Sequence, residues 1–175
     1  MNPLRAEELM PWIRMMVKMR GRQLPITHLT GVTSSVVKEV WQIENKRSSP
    51  SGQTPSDLEW YLRTPTLRYQ SAMLLILFHS AQKSFPKEVA FAHAFYHFSS
   101  LTGGEWSGDH GAFRSSDDDY TIPFSRAHFL IKTYNDDIDY MTQRRKCPLK
   151  IKVCRCCSGR YLAREEEQNK CPLCA

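Results

Sequence analysis

The sequence predicts a mainly α-helical body containing a helix-turn-helix, followed by a small C-terminal four-cysteine zinc-ribbon module. Three observations predict it. Apolar residues recur at helical spacing through most of the chain, a glycine at position 31 separates two such segments, and all six cysteines lie at or beyond Cys147. A chain of 175 residues can bury one real core and leave a short appendage unable to fold on apolar burial alone. The expected division is a helical body over residues 1–142, holding the partner-binding and helix-turn-helix regions, and a basic zinc-ribbon module over residues 143–175.

In the first segment Leu4, Leu9, Met10, Trp12, Ile13, Met16, Val17 and Met19 form an apolar stripe, with Arg5, Glu7, Glu8, Arg14 and Lys18 largely opposite. That is an amphipathic helix. The segment from Pro25 to Glu44 reads as two helices about Gly31, and the turn-rich run from Arg47 to Pro55 is an exposed connection. Leu67 to Gln82 is apolar enough for a buried helix. A further helix follows over Lys87 to Leu101, with Ser84 or Phe85 near its cap and Pro86 in its first turn, so the two are expected to pack as a hairpin. Thr102 to Pro123, with glycines, three consecutive aspartates and no sustained period, is expected to be a loop. Helical spacing resumes from Phe124 to Met141 through Phe129, Leu130, Tyr134 and Ile138, and Gln143 to Lys152 is a basic lead into the cysteines.

Charge is distributed unevenly. Residues 1–50 hold 8 Lys/Arg and 4 Asp/Glu, residues 51–140 hold 7 and 11, and residues 141–175 hold 9 and 3, giving +4, −4 and +6. Basic ends flanking an acidic middle are the footprint of a polyanionic partner, because cations that neutralise phosphates release condensed counterions. The same charge also serves a merely solvated surface. The longest strongly apolar run, Ala72 to Phe78, is far short of the roughly 20 residues of a membrane span, and no signal-type N-terminus is present, so a cytoplasmic protein without membrane association is expected.

The most specific motif is Cys154-Arg-Cys156-Cys157, thirteen intervening residues, and Cys171-Pro-Leu-Cys174. Two CxxC knuckles can bring four thiolates to the corners of a tetrahedron around one Zn²⁺. The arm from Ser158 to Lys170 can form a hairpin, and Cys147 and Cys156 are expected to remain free thiols. An iron–sulfur cluster is the alternative occupant, and a redox pair would want a βαβ context. Four cysteine ligands close the coordination sphere, so this metal should fold its module rather than catalyse.

The second motif is the Gly31 turn. With Ile26, Leu29, Val32, Val37 and Val40 inward, Ser34, Ser35, Lys38, Glu39 and Gln42 face outward, the arrangement of a recognition helix, though ordinary packing of short helices has the same spacing. Lys38 and Gln42 are the candidate base contacts. Arg144, Arg145, Lys146, Lys150, Lys152, Arg155, Arg160 and Arg164 surround the cysteines and are the candidate phosphate contacts. His93 and His97 are four apart, within reach of one metal on a helix, but no HExxH-type glutamate accompanies them, so they are expected to be core or interface residues and no second metal is expected. No P-loop, dinucleotide-binding glycine motif, GxSxG or paired-carboxylate constellation is present, so no enzymatic activity is expected.

The order of features resembles the FlhC family, the C subunits of the bacterial flagellar master transcriptional activator. The resemblance covers roughly residues 20–175 and lies in the VTSSVVKEVWQIENKRSSPSGQTPSDLEWYL stretch, the apolar middle and the CRCCSG…CPLC module. It implies a zinc site at Cys154, Cys157, Cys171 and Cys174. It also implies a FlhD-like partner in a hetero-oligomer that binds double-stranded promoter DNA and recruits RNA polymerase. Flagellar members continue into a basic tail past the second knuckle, which turns the comparison toward the SetC- and AcaC-like activators of conjugative elements. The regulated genes are then conjugative-transfer or flagellar ones. The alternative from another class is a zinc-stabilised adaptor that binds no DNA.

Overall fold

The computed structural model describes residues 3–53, 55–103, 105–107, 112–114, 121–135, 149–167 and 169–175, those at 3–6, 105–107 and 112–114 by backbone only. Six α-helices and two antiparallel strand pairs are present among the described residues: α1 Pro3–Lys18, α2 Gln23–Thr30, α3 Ser34–Asn45, α4 Pro65–Ala81, α5 Lys87–Leu101, β1 Glu105–Ser107, β2 Ala112–Arg114, α6 Phe124–Asn135, β3 Leu149–Val153 and β4 Arg160–Arg164. The protein is mainly helical, as its sequence pattern predicts.

The apolar stripes converge on one core. Ile13, Met16 and Val17 of α1, Val37 and Trp41 of α3, Leu74, Leu75 and Phe78 of α4, Phe91 and Phe98 of α5, and Leu130 of α6 are all buried. Each fully buried side chain of this size stabilises the fold by about 1.5–3 kcal/mol relative to exposure. Trp41 also places a polar group: its indole Nε1–H donates to the Gly21 carbonyl at 2.8 Å, tying α3 to the turn between α1 and α2. Gly21 is required there, since a Cβ would lie 2.7 Å from the Met16 carbonyl oxygen and 2.8 Å from the Phe124 ring. Tyr61, in a short 3₁₀ turn over Glu59–Leu62, donates its hydroxyl to the Arg126 carbonyl at 2.7 Å and fastens the long connection to α6.

Helix ends follow local chemistry. Thr64 caps α4 by accepting the Leu67 N–H at 3.1 Å, and Pro65 occupies the first turn, where its missing N–H costs nothing. Between α4 and α5 the chain departs from expectation by one step: Pro86 is itself the cap, extended at ψ 156°, and the helix begins at Lys87. The α4–α5 hairpin forms as expected, and these helices make the most extensive helix pair among the described residues.

Two further differences concern strands. The expected loop from Thr102 to Pro123 contains a short ribbon in which Trp106 of β1 stands opposite Phe113 of β2. Three-residue strands are too short to show alternation. In the C-terminal module no strand pairing falls within the 158–170 arm among the described residues. That arm supplies only β4, whose partner β3 precedes the first knuckle, with Leu149 opposite Arg164 and Val153 opposite Arg160. The final helix ends at Asn135 within the described residues, and the expected boundary at residues 142 and 143, like the expected helical turns to Met141, falls outside them.

Candidate metal centre and nucleic-acid face

The β3–β4 hairpin carries the first knuckle at its tip. The Cys154 N–H donates to the Gly159 carbonyl at 2.8 Å and the Ser158 N–H to the Cys154 carbonyl at 2.9 Å, with Ser158 in the left-handed region at φ 56°. This closed turn brings Cys157 back toward Cys154. The second knuckle repeats the device, its Cys174 N–H donating to the Cys171 carbonyl at 3.0 Å.

The sulfurs of Cys154, Cys157, Cys171 and Cys174 all lie within 4.8 Å of one another, and Cys157 and Cys171 are 3.6 Å apart. A tetrahedral ion with sulfur at about 2.3 Å requires sulfur–sulfur edges of about 3.8 Å, so this group can hold one metal ion with little movement. Cys156, which shares the turn, is exposed and lies outside the group, and Cys147 is outside the described residues.

Electrostatics favour a cation. The Cys171 N–H, at 3.3 Å, and those of Cys157 and Cys156 point at the Cys154 sulfur and pull its thiol down to about 6. The others are held up: Cys171 by burial, and Cys174, pushed to about 12, by the Cys157 and Cys171 sulfurs beside it and by burial. One thiolate is stabilised by backbone donors, and further negative charge in so small a space needs a positive ion at its centre.

The floor of the centre comes from the body, which sequence spacing does not reveal. Ala72 of α4 packs with Cys154, Cys171, Tyr161 and Ala163, and Leu149 and Leu162 of the hairpin join the main core. Gly159 permits this seating, because a Cβ would come within 2.6 Å of Ile76 Cδ1 on α4. Ion pairs reinforce it, Arg68 of α4 with Glu167 and Glu59 with Arg164 at 3.1 Å.

Two helices flank Gly31, as the sequence pattern predicts. Gly31, at φ 69°, ends α2 by donating its N–H to the Thr27 carbonyl, and α3 follows with Val37, Val40 and Trp41 buried. Ser34, Ser35, Lys38, Glu39 and Gln42 are all exposed.

The other cationic candidates are mixed. Lys150 contacts the Glu165 carboxylate at 2.7 Å, Lys152 donates to the Glu165 and Glu167 carbonyls at 2.7 and 2.6 Å, and Arg164 pairs with Glu59. Arg155 is exposed on the first knuckle, and the Arg160 guanidinium sits 5.7 Å from the Tyr134 ring centroid. Arg144, Arg145 and Lys146 are outside the described residues. Of the two places expected for the histidines, the core is not the one they occupy: His97 is exposed and His93 half-buried on α5.

No protein-family model matches the chain, and no curated protein is significantly similar to it. Among the described residues no helix is long and apolar enough to cross a membrane.

Proposed function

We propose that this chain is the zinc-stabilised, DNA-binding subunit of a heteromeric bacterial transcriptional activator of the FlhD/FlhC kind. The observation that carries the reading is α3: a helix anchored through Val37, Val40 and Trp41 behind a glycine turn, with Ser34, Ser35, Lys38, Glu39 and Gln42 exposed on its outward side. A helix held by one face and presenting Ser, Lys and Gln on the other is suited to a major groove. Lys38 and Gln42 read bases, and the basic residues near the cysteines position the protein on phosphates. The metal is one structural Zn²⁺, since four thiolates at tetrahedral spacing suit zinc and leave no open position for substrate. The FlhC resemblance extends the proposal to a cytoplasmic complex with a FlhD-like partner, promoter DNA and RNA polymerase, without catalysis by this chain.

The adaptor reading has one observation in its favour: Lys150, Lys152 and Arg164 already have partners within the chain. The exposed Lys150–Glu165 and Arg164–Glu59 ion pairs contribute only about 0–1 kcal/mol each, so phosphates can displace them. Binding of the full chain to random-sequence duplex over a salt series, alone and with a co-expressed partner, separates the readings. Affinity that falls steeply with salt is expected, whereas no salt-dependent binding in either form establishes the adaptor. Metal analysis is expected to give one zinc per chain in a colourless protein. Iron with visible absorbance would overturn the zinc assignment.

A further inference from the structure

We propose that His93 and His97 form a second metal site, a surface chelate on α5 for a divalent first-row ion such as Cu²⁺, Ni²⁺ or Zn²⁺. The two residues are one helical turn apart, and their Nε2 atoms face each other at 3.3 Å. For metal–nitrogen bonds of about 2.0–2.1 Å, two nitrogens on one ion lie about 2.9 Å apart at a right angle and about 3.4 Å apart at the tetrahedral angle. The observed separation falls within that range, so the two nitrogens are already spaced for one ion and need only turn their lone pairs toward it.

The site is held from three sides. The opposite face of α5 is locked in the core by Phe91, Ala94, Phe95 and Phe98, so the backbone spacing of the two histidines is fixed before any ion arrives. The Phe85 ring lies against His93 at a centroid distance of 4.9 Å, tilted by 34°, and the Tyr96 ring meets His97 edge-on at 5.5 Å. Two Nε2 atoms in this contact can share at most one proton between them, and an ion accepts a lone pair from both. Imidazole donors select copper, nickel and zinc over magnesium or calcium. Two protein ligands leave the remaining positions to water or to a donor on another molecule, so this ion is exchangeable, unlike one enclosed by four cysteines.

The test uses the full chain with zinc already bound at the cysteines, and Ni²⁺ as the probe. Calorimetric titration is expected to show one further ion per chain, and the thermal midpoint is expected to rise with Ni²⁺ because binding favours the folded state. His97→Ala, at an exposed position where folding is unaffected, and His93→Gln should each weaken that ion by roughly tenfold or more, through loss of one of only two protein donors. No nickel beyond the cysteine site, or nickel binding equally tight in both variants, overturns the proposal.

Discussion

His128 shows how burial at one residue sets a response of the whole fold. It is 5% exposed on α6, packed edge-on against His28 and Phe91, and neither ring nitrogen has a hydrogen-bond partner among the described residues. Burial, with His28 and Lys132 nearby, lowers its pKa from 6.5 to about 4. Between those values the unfolded chain takes up a proton that the folded chain refuses, so stability falls as pH drops through that window and is unaffected above it. The effect should be about 3 kcal/mol across the window. His128→Leu should therefore raise stability by about 1 kcal/mol near neutrality, by removing orphaned polar atoms, and should flatten the decline between pH 6.5 and 4 in denaturant titrations. A variant that loses stability to acid as steeply as the parent would show that other groups control it. At the cysteines, Cys154→Ser should lose the ion held by the four-cysteine group while Cys156→Ser keeps it, as metal analysis after removal of exchangeable ions can determine. The ligands were legible because CxxC spacing encodes a local turn. The orphaned histidine was not, since a lone His in an apolar helix looks the same whether its nitrogens are paired or bare.

Among the elements, the two glycines that join the first three helices make opposite demands. At Gly31 a Cβ would meet nothing within 4 Å, and the only obstacle is φ 69°. Gly31→Ala should cost about 1 kcal/mol, through backbone strain alone. Gly21→Ala would drive a Cβ into the Met16 carbonyl and the Phe124 ring beside the Trp41 anchor, and should cost more, about 2–4 kcal/mol. Thermal unfolding of the two variants ranks them, and equal losses would mean that the α1–α2 turn yields easily. Apart from the two-turn α2, the helices were legible because their apolar period runs over three or more turns, and Gly31 was legible because it interrupts that period. β3 carried a readable signal in its alternating Leu149-Lys-Ile-Lys-Val153, hidden within what otherwise looked like a basic lead. Its pairing with β4 across the knuckle was not readable, because register depends on where the metal-site turn closes.

At the scale of the whole molecule, the metal centre rests on the body through Ala72, Gly159 against Ile76, and the Arg68–Glu167 and Arg164–Glu59 pairs. Removing the ion should loosen more than the last residues. Hydrogen exchange after chelation is expected to show lost protection in β3 and β4 and also in the first half of α4, and protection unchanged in α4 would mark the module as independent. None of this packing was visible in sequence, since Ala72 and Ile76 belong to an apolar helix whose every face looked like ordinary core. The central claim, DNA binding through α3 and the basic module, is tested most directly by paired alanine variants over a salt series. The DNA would be a site selected by the protein from a random pool, and a scrambled control. Lys38→Ala/Gln42→Ala should reduce the preference for the selected site with little change in salt slope. Arg144→Ala/Arg145→Ala should weaken both DNAs and lower the slope by about 2, one for each lost phosphate contact. Unchanged site preference in the first pair together with unchanged affinity and slope in the second would contradict the account.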